Sequence, residues 1–527
     1  MVIEDKKITG IVYLVGSGPG DPGLLTIKAA EKIAEADVIV YDYLAGQNFL
    51  EKARADAELI YVGKSGKSHT VEQVDINQIL VSKAREGKTI VRLKGGDPYV
   101  FGRGGEEAQE LAAAGVTFEV VPGITSAIAA PAYAGIPVTH RDHASMVTFV
   151  TGHEDPKKDE SAIDWSVLAK MSGTLIFLMG VKNIENISNE LISNGKASDT
   201  PAALVRWGTT PKQVSVVSDL ANIAMESRRK GLSAPAILVV GSVIKLKETL
   251  SWYEKKPLFG KKILVTRSRE QSRKMSDKIY ANGGEPVAFP TIEITPPTSY
   301  GPLDAAIDKI SSYDWVVFTS ENGVELFFRR FFELGRDIRQ LVGPRFGAIG
   351  PVTAKAISSR GIKVDMLAKE FVAEGILSFF ENQDLIGRSF LIPRAEKARD
   401  ILPEGLVGMG ASVEVVPVYK TVLPSGQGVD TIKQMFLDKA IDAVTFTSSS
   451  TVNHFVEMFH SVNIGDLLHG ALLASIGPIT TDTLAKHGLK ASVQAREYTV
   501  DGLVRALTDH YGAPGQSSEK LPPEGLM

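Results

Sequence analysis

The stretch VYLVGSGPGDPGLLTIKA, residues 12–29, sets the fold class. Four apolar residues run into Gly16-Ser17-Gly18-Pro19-Gly20-Asp21, after which apolar positions recur at helical spacing: strand, glycine turn, helix. The alternation continues outward. Ile11–Val15, Val38–Tyr41, Leu59–Val62, Thr89–Leu93 and Phe118–Val121 read as strands, with Leu24–Glu35 and Gln73–Glu86 as helices between them. Such alternation predicts α/β layers with largely parallel sheets.

The glycine turn resembles a dinucleotide loop but departs from it at the sixth position. Asp21 stands where helix packing calls for glycine, and its carboxylate would face any pyrophosphate. Pro19 also lacks an N–H to donate. Phosphate binding is therefore disfavoured, and the turn is expected to bring backbone close to a small ligand. Two further strand ends have the same character. Leu93-Lys94-Gly95-Gly96-Asp97-Pro98 leads into Phe101-Gly102-Arg103-Gly104-Gly105, and Val121-Pro122-Gly123-Ile124-Thr125-Ser126 opens a small-residue helix over 126–134. Glycines with a carboxylate at a strand's end can hug an adenosine or amino-acid moiety, although close helix–sheet packing also explains the small residues.

The chain has 527 residues, too many for one hydrophobic core, so several domains are expected. A net charge of −4 with no basic block gives no sign of a nucleic-acid partner. The absence of cysteine excludes disulfides, thiolate metal sites and a cysteine nucleophile. His140, His143 and His153 lack the spacing of a metal site, and no metal is expected. No run of 18 apolar residues suggests a membrane span, and a cytoplasmic location is expected. Ser251–Lys262 is charged, contains Pro257 and Gly260, and marks the main boundary. The Pro/Gly/Ser-rich segment 511–527 is expected to be disordered.

Beyond that boundary the chain repeats itself. ILVTR ending at Arg267 returns as FLIPR ending at Arg394, 127 positions on. Pro290 and Pro417, the IGP triplets at 349–351 and 476–478, and AKEFVAEGI and AREYTVDGL share that offset, while the FTS triplets at 318–320 and 446–448 differ by 128. One register across these motifs indicates an internal duplication of two α/β lobes with a ligand cleft between them.

Taken in order, VYLVGSGPGDPGLLTIKA, VIVYDYL, LKGGDPYVFGRGGEEA, VVPGITSAIAAPAYAGIPVTHR, VTGH, FLMG and RWGTT resemble the tetrapyrrole methylase superfamily, and within it the uroporphyrinogen-III C-methyltransferases, over residues 9 to about 245. The resemblance implies two α/β subdomains with S-adenosylmethionine between them. It places Pro19, Gly95, Gly96, Asp97, Val100, Thr125, Ser126, Met179, Gly208 and Ala236 around that cofactor. It also places an acid/base pair on Asp42 and Lys64, residues that a turn-capping carboxylate and a loop cation would explain as well. A substrate with eight carboxylates calls for cations, for which Arg103, His140, Arg141 and Arg206 are candidates. A homodimer formed through this half is the expected assembly.

The duplicated half resembles uroporphyrinogen-III synthase over roughly 260–508, through VFTSENGV, AIGPVTAKAI, PRAEKARDIL, VPVYKT, VTFTSSSTV and SIGPITTDTL. That resemblance implies cofactor-free cyclisation of hydroxymethylbilane. It also implies lobes that exchange segments, one made of 260–296 with 421–510 and the other of 297–420. It places a proton donor on Tyr419 and propionate-holding groups at Thr319, Ser320, Ser448 and Thr480. Arg267 and Arg394 are symmetry-related candidates for carboxylate pairing, with surface exposure the competing account. The expected layout is a methyltransferase over 1–250, a linker over 251–259, a synthase over 260–510 and a tail. The expected function is bifunctional: hydroxymethylbilane to uroporphyrinogen III, then two methylations (C2 and C7) to precorrin-2 for sirohaem or cobalamin. The competing reading is a methylase of another corrinoid precursor with a tetrapyrrole-sensing, non-catalytic second half.

Overall fold

Short β-branched runs leading into amphipathic stretches fold as strand–helix units throughout. The computed structural model describes residues 10–63, 72–153, 162–267, 269–423 and 428–512. It divides into two units, one reaching to Lys261 and including Asn282–Glu285, the other made of Lys262–Ala281 and the residues from Pro286 onward.

In the first unit, β1 (Ile11–Gly16), β2 (Val38–Tyr41), β3 (Glu58–Tyr61), β4 (Thr89–Lys94) and β5 (Thr117–Val121) form a sheet in the order β3-β2-β4-β1-β5. Every pairing in it is parallel, so its loops gather at the strands' carboxyl ends. The expected helix over 24–35 divides. Asp21 caps a turn at Pro22–Leu24, and Thr26 caps a helix over Ile27–Glu35 by accepting from the Ala29 N–H.

The second sheet of this unit departs from the expected parallel arrangement. Its strands β6 (Val147–Thr151), β7 (Thr174–Leu178), β8 (Pro201–Arg206), β9 (Val214–Asp219) and β10 (Ala236–Val240) lie in the order β6-β7-β10-β8-β9. Only β6 and β7 pair parallel. The reason is physical: β7 and β10 are buried along their whole length, and a strand buried on both faces is an unbroken apolar run whichever way its neighbours point. Residues 251–259 fold onto this unit, with Tyr253 buried and its ring 4.8 Å from that of Tyr133.

The second unit carries the duplication into three dimensions. One sheet has the order β12-β11-β19-β20-β21, from β11 (Lys262–Val265), β12 (Glu285–Ala288), β19 (Ala443–Phe446), β20 (Leu472–Ser475) and β21 (Val493–Gln494). The other has the order β13-β18-β17-β14-β15-β16, from β13 (Glu293–Thr295), β14 (Trp315–Phe318), β15 (Arg345–Ala348), β16 (Met366–Leu367), β17 (Ser389–Ala395) and β18 (Ser412–Val422). The five-stranded sheet thus takes two strands from the first sequence repeat and three from the second, and the six-stranded sheet four from the first and two from the second, which is the segment exchange that the resemblance implied. The six-stranded sheet is covered on both faces. Phe318, Phe327, Phe328 and Phe331 pack in one core, and Phe380 and Phe390 in another around Trp315.

Candidate functional site

The three glycine-bearing turns follow β4, β1 and β5, which are neighbours in the first sheet, so they lie side by side. Their backbones touch. A Cβ on Gly16 would stand 2.6 Å from the Gly123 Cα, and one on Gly123 would stand 2.2 Å from the Gly96 carbonyl oxygen. Gly18 and Gly96 exchange two backbone hydrogen bonds, of 3.1 and 2.7 Å. Asp97 ties the turns further. Its carboxylate accepts from the Gly123 N–H at 3.0 Å and the Tyr99 N–H at 2.8 Å.

The first turn spends its donors on the protein itself. The Ser17 N–H goes to the Lys94 carbonyl at 2.8 Å, the Gly18 N–H to Gly96, and the Asp21 N–H to the Thr209 hydroxyl at 3.2 Å. Asp21 also accepts from the Tyr133 hydroxyl at 2.6 Å. A phosphate would find those donors already used, so the departure from a dinucleotide fingerprint has a structural cause. One side is less crowded. A methyl on Gly96 would lie in ordinary van der Waals contact, 3.9 Å from the Ser126 nitrogen and the Thr125 Cα, so the turn faces the start of the helix Ser126–Tyr133. Buried Thr125 caps that helix, accepting from the Ala127 N–H at 3.3 Å.

The far side of the cleft comes from the second sheet. Met179 follows β7 with φ 58° and is half exposed, an arrangement that neither packing nor backbone preference favours. Trp207 (φ 48°) and Thr209 (φ 72°) flank Gly208, where a Cβ would meet the Ala130 Cβ at 2.3 Å. Ala236 sits on β10 opposite Arg206. Pro19 and Val100 are half-buried. Five of the six non-glycine residues at positive φ among those described lie in this unit: Phe101, Arg103, Met179, Trp207 and Thr209. Trp207, Thr209 and Phe101 were not anticipated, because backbone strain leaves no mark in a residue pattern.

Asp42 follows β2 and caps the turn Tyr43–Ala45, accepting from the Leu44 N–H at 3.1 Å. Its other oxygen receives Arg92 Nη2 at 3.2 Å, and the side chain remains 26% exposed. Lys64 lies outside the described residues. The candidate cations fare unevenly. Arg103 is exposed and makes two bonds to Glu106, at 3.0 and 2.7 Å. His140 and Arg141 stand in a tight turn closed by backbone bonds between His140 and Ala144. Arg206 ends β8 with a buried Nε that has no partner among the described residues.

In the second unit the repeated motifs occupy the carboxyl ends of β14, β15 and β16, and of β19, β20 and β21. Ser320 and Ser448 each cap the helix after an FTS triplet, which uses their hydroxyls on Gly323 and Thr451 N–H groups; Thr319 stands beside Ser320, half-buried. Tyr419, largely buried, brings its hydroxyl 3.3 Å from Ser320 Oγ, and desolvation pushes its pKa up despite the bond to Ser320. Thr480 turns into the core, with its N–H on the Gly477 carbonyl. Arg394 is not on the surface. It is buried at the end of β17, pairs with Asp400 and donates to the Arg399 carbonyl at 2.7 Å, so the carboxylate it holds is the chain's own. Its counterpart Arg267 ends β11, where burial lowers its pKa against the pull of Glu321.

The sequence profile described as "Tetrapyrrole (Corrin/Porphyrin) Methylases" matches residues 11–224, and that described as "Uroporphyrinogen-III synthase HemD" matches 273–505. The chain is 38% identical over 500 residues to the "Porphyrin biosynthesis protein HemD" of Ruminiclostridium josui, covering 95% of this chain and 98% of that one. It is 60% identical over 241 residues to the "S-adenosyl-L-methionine-dependent uroporphyrinogen III methyltransferase" of Methanosarcina barkeri, covering 46% of this chain and 94% of that protein. Among solved structures, the uroporphyrin-III C-methyl transferase of Thermus thermophilus complexed with S-adenosyl homocysteine is 39% identical, with a TM-score of 0.40, covering 45% of this chain and all of that one.

The glycine contacts make an ordered prediction. Gly123→Ala forces a Cβ into the Gly96 carbonyl and is expected to cost about 1–3 kcal/mol or more. Gly96→Ala meets only ordinary van der Waals contacts and carries a left-handed backbone penalty of about 1–2 kcal/mol. Guanidinium unfolding followed by circular dichroism should rank Gly123→Ala as the less stable variant; the reverse ranking would contradict the contact.

Proposed function

Because this chain belongs to the tetrapyrrole methylases in its first unit and to the uroporphyrinogen-III synthases in its second, we propose that it makes uroporphyrinogen III and then methylates it. The second unit closes hydroxymethylbilane with loss of water. The first unit transfers two methyl groups, giving precorrin-2 for sirohaem or cobalamin. The observation that carries this reading is the presence in one chain of both families, one of which makes the substrate of the other. The methyltransferase is assigned to residues 1–250 and the synthase to 260–510, joined by 251–259, with 511–527 as a tail.

The first site suits S-adenosylmethionine, which supplies an electrophilic sulfonium methyl when bound. Gly96 and the start of the helix Ser126–Tyr133, where the Ser126 nitrogen faces that glycine, form a cradle for an amino acid carboxylate. Gly95, Asp97 and the half-buried Pro19 and Val100 line it on one side, with Met179, Gly208 and Ala236 across the cleft. A pyrrole carbon is a sufficient nucleophile. The protein must therefore orient the macrocycle, exclude water and accept or return a proton as the ring electrons rearrange. Asp42 is the group assigned to that proton, and the carboxylate keeps spare lone pairs beyond its bonds to Leu44 and Arg92. Lys64 is assigned as its partner. Arg206, with an unpartnered Nε, is the best placed of the candidate cations for a substrate carboxylate. In the second site, Tyr419 is assigned the proton that leaves with the hydroxyl of hydroxymethylbilane. Its raised pKa keeps the phenol protonated, as a donor must be.

No described helix is long and apolar enough to cross a membrane. The reading includes a cytoplasmic location and a homodimer formed through the first unit. Sedimentation of the full chain should give twice the chain mass, and a monomer at micromolar concentration would reject the dimer.

The central test supplies the full chain with hydroxymethylbilane, with and without S-adenosylmethionine. Type III uroporphyrinogen is expected without the methyl donor, and a dimethylated product, identified by mass and absorbance, with it. Tight binding of hydroxymethylbilane without turnover would instead favour a sensing second unit. Asp97→Ala is expected to weaken S-adenosylmethionine binding by more than 100-fold in calorimetry. Asp42→Ala should leave that affinity within a few-fold while slowing methylation at least tenfold, and a wild-type rate would remove Asp42 from the chemistry.

A further inference from the structure

Behind Asp42 lies a chain of buried charge that the reading above does not use. Arg92 and Lys94 alternate on β4 so that both side chains leave the same face of the sheet. Both reach Glu107 on the helix Gly104–Ala113. Arg92 Nε lies 3.1 Å from Glu107 Oε1, and Lys94 Nζ lies 2.8 Å from the same oxygen. Gln73 Nε2 donates to that oxygen as well, at 3.1 Å. Glu107 has no solvent exposure, and Arg92 and Lys94 have almost none. Four of the guanidinium's five N–H donors are engaged. Its Nη1 donates to the Val40 and Leu93 carbonyls at 3.4 and 3.1 Å, Nε goes to Glu107, and Nη2 goes to Asp42. Two cations and two carboxylates therefore sum to zero. Only Asp42 among the four reaches the open edge of the sheet beside the glycine turns.

Stability alone accounts poorly for such a cluster. Burying charge is costly, and well-packed apolar residues of similar volume often serve a core as well or better. Neighbouring Ala108 and Leu111 on the same helix show the ordinary solution. Glu107 Oε2 has no hydrogen bond among the described residues, so the carboxylate is not held for its own satisfaction. What the arrangement does deliver is a guanidinium held on three sides, whose Nη2 fixes the Asp42 carboxylate.

We propose that Glu107 is a positioning residue of the methyl-transfer reaction, locking Arg92 so that Arg92 holds Asp42 in the orientation its proton-transfer role needs. This rests on the assignment of Asp42 as the acid/base group. The test uses the full chain as Glu107→Gln, Asp42→Asn and the double variant. It measures kcat for methylation of uroporphyrinogen III and calorimetric affinity for S-adenosylmethionine. Glu107→Gln is expected to lower kcat about tenfold with cofactor affinity within twofold, and the double variant should be no slower than Asp42→Asn. A wild-type kcat in Glu107→Gln beside a slow Asp42→Asn overturns the positioning role alone, as does full additivity in the double variant. A wild-type kcat in Asp42→Asn removes the underlying assignment, and this inference with it. If Glu107→Gln loses cofactor affinity, the decision passes to Arg92→Lys, which keeps the charge but not the fork. A slowed kcat with intact affinity then supports the proposal, and a wild-type rate or a matching loss of affinity overturns it.

Discussion

Backbone-to-backbone contact among Gly16, Gly96 and Gly123 is the constraint from which the first unit follows. Three strand ends meet with no room for a side chain between them, and the bond from the Gly123 N–H to Asp97 closes the arrangement. The contact sets the distance between β4, β1 and β5 at their carboxyl ends and so fixes where the opening can be. It also decides what the opening can bind. Donors that a nucleotide loop would aim at phosphate are turned inward onto Lys94, Gly96 and Thr209, while the Ser126 nitrogen at the start of the helix Ser126–Tyr133 faces Gly96.

The second unit solves a different problem by the same geometry. Its two sheets share one order over five strands, with β11 and β12 exchanged for β17 and β18, and the larger sheet adds β13 as an antiparallel edge. Because the FTS and IGP motifs fall at the carboxyl ends of strands, duplication delivers two equivalent sets of turns at once. Aromatic rings underline the equivalence: Phe371 lies 3.5 Å from a Cβ built on Gly350, and Tyr498 lies 3.0 Å from one built on Gly477. Exchange also makes one sheet discontinuous along the chain: the five-stranded sheet needs β11 and β12 from before the six-stranded sheet and β19 to β21 from after it.

What was legible in the sequence follows from what leaves a periodic trace. Strand and helix alternation did, which is why all five strands of the first sheet fall within a residue of their expected positions. Strand direction in the second sheet did not, because β7 and β10 are apolar throughout and carry no polarity that could report a neighbour's direction. The 127-residue repeat revealed the lobes through identity, not periodicity. At the site, the glycines and Asp97 stood out as residue types that strand ends seldom need. Glu107 did not, because an acidic residue in the first turns of a helix is what dipole and solvent both favour, and its burial depends on Arg92, fifteen residues away. The surroundings of Arg394 were hidden for a related reason: carboxylate pairing and surface exposure fit its sequence equally well, and only the fold brings Asp400 onto it.

The fates of Arg267 and Arg394 show how far the two lobes have diverged. Both end the first strand of a repeat and both are largely buried, so each must find compensation for lost hydration. Arg394 finds it in its own loop, through Asp400 and the Arg399 carbonyl. Arg267 feels the charge of Glu321, in the first turn of the helix after the FTS triplet of the other lobe, and Lys274 approaches the same carboxylate at 3.3 Å. One copy of the motif thus holds a carboxylate of its own loop, while the other feels one from the facing lobe. A linear bilane has two different ends, and a cleft built from two copies of one lobe can tell them apart only where the copies differ. The electrostatic inequality of Arg267 and Arg394 is such a difference, placed at the strand ends where a ligand of this fold is met.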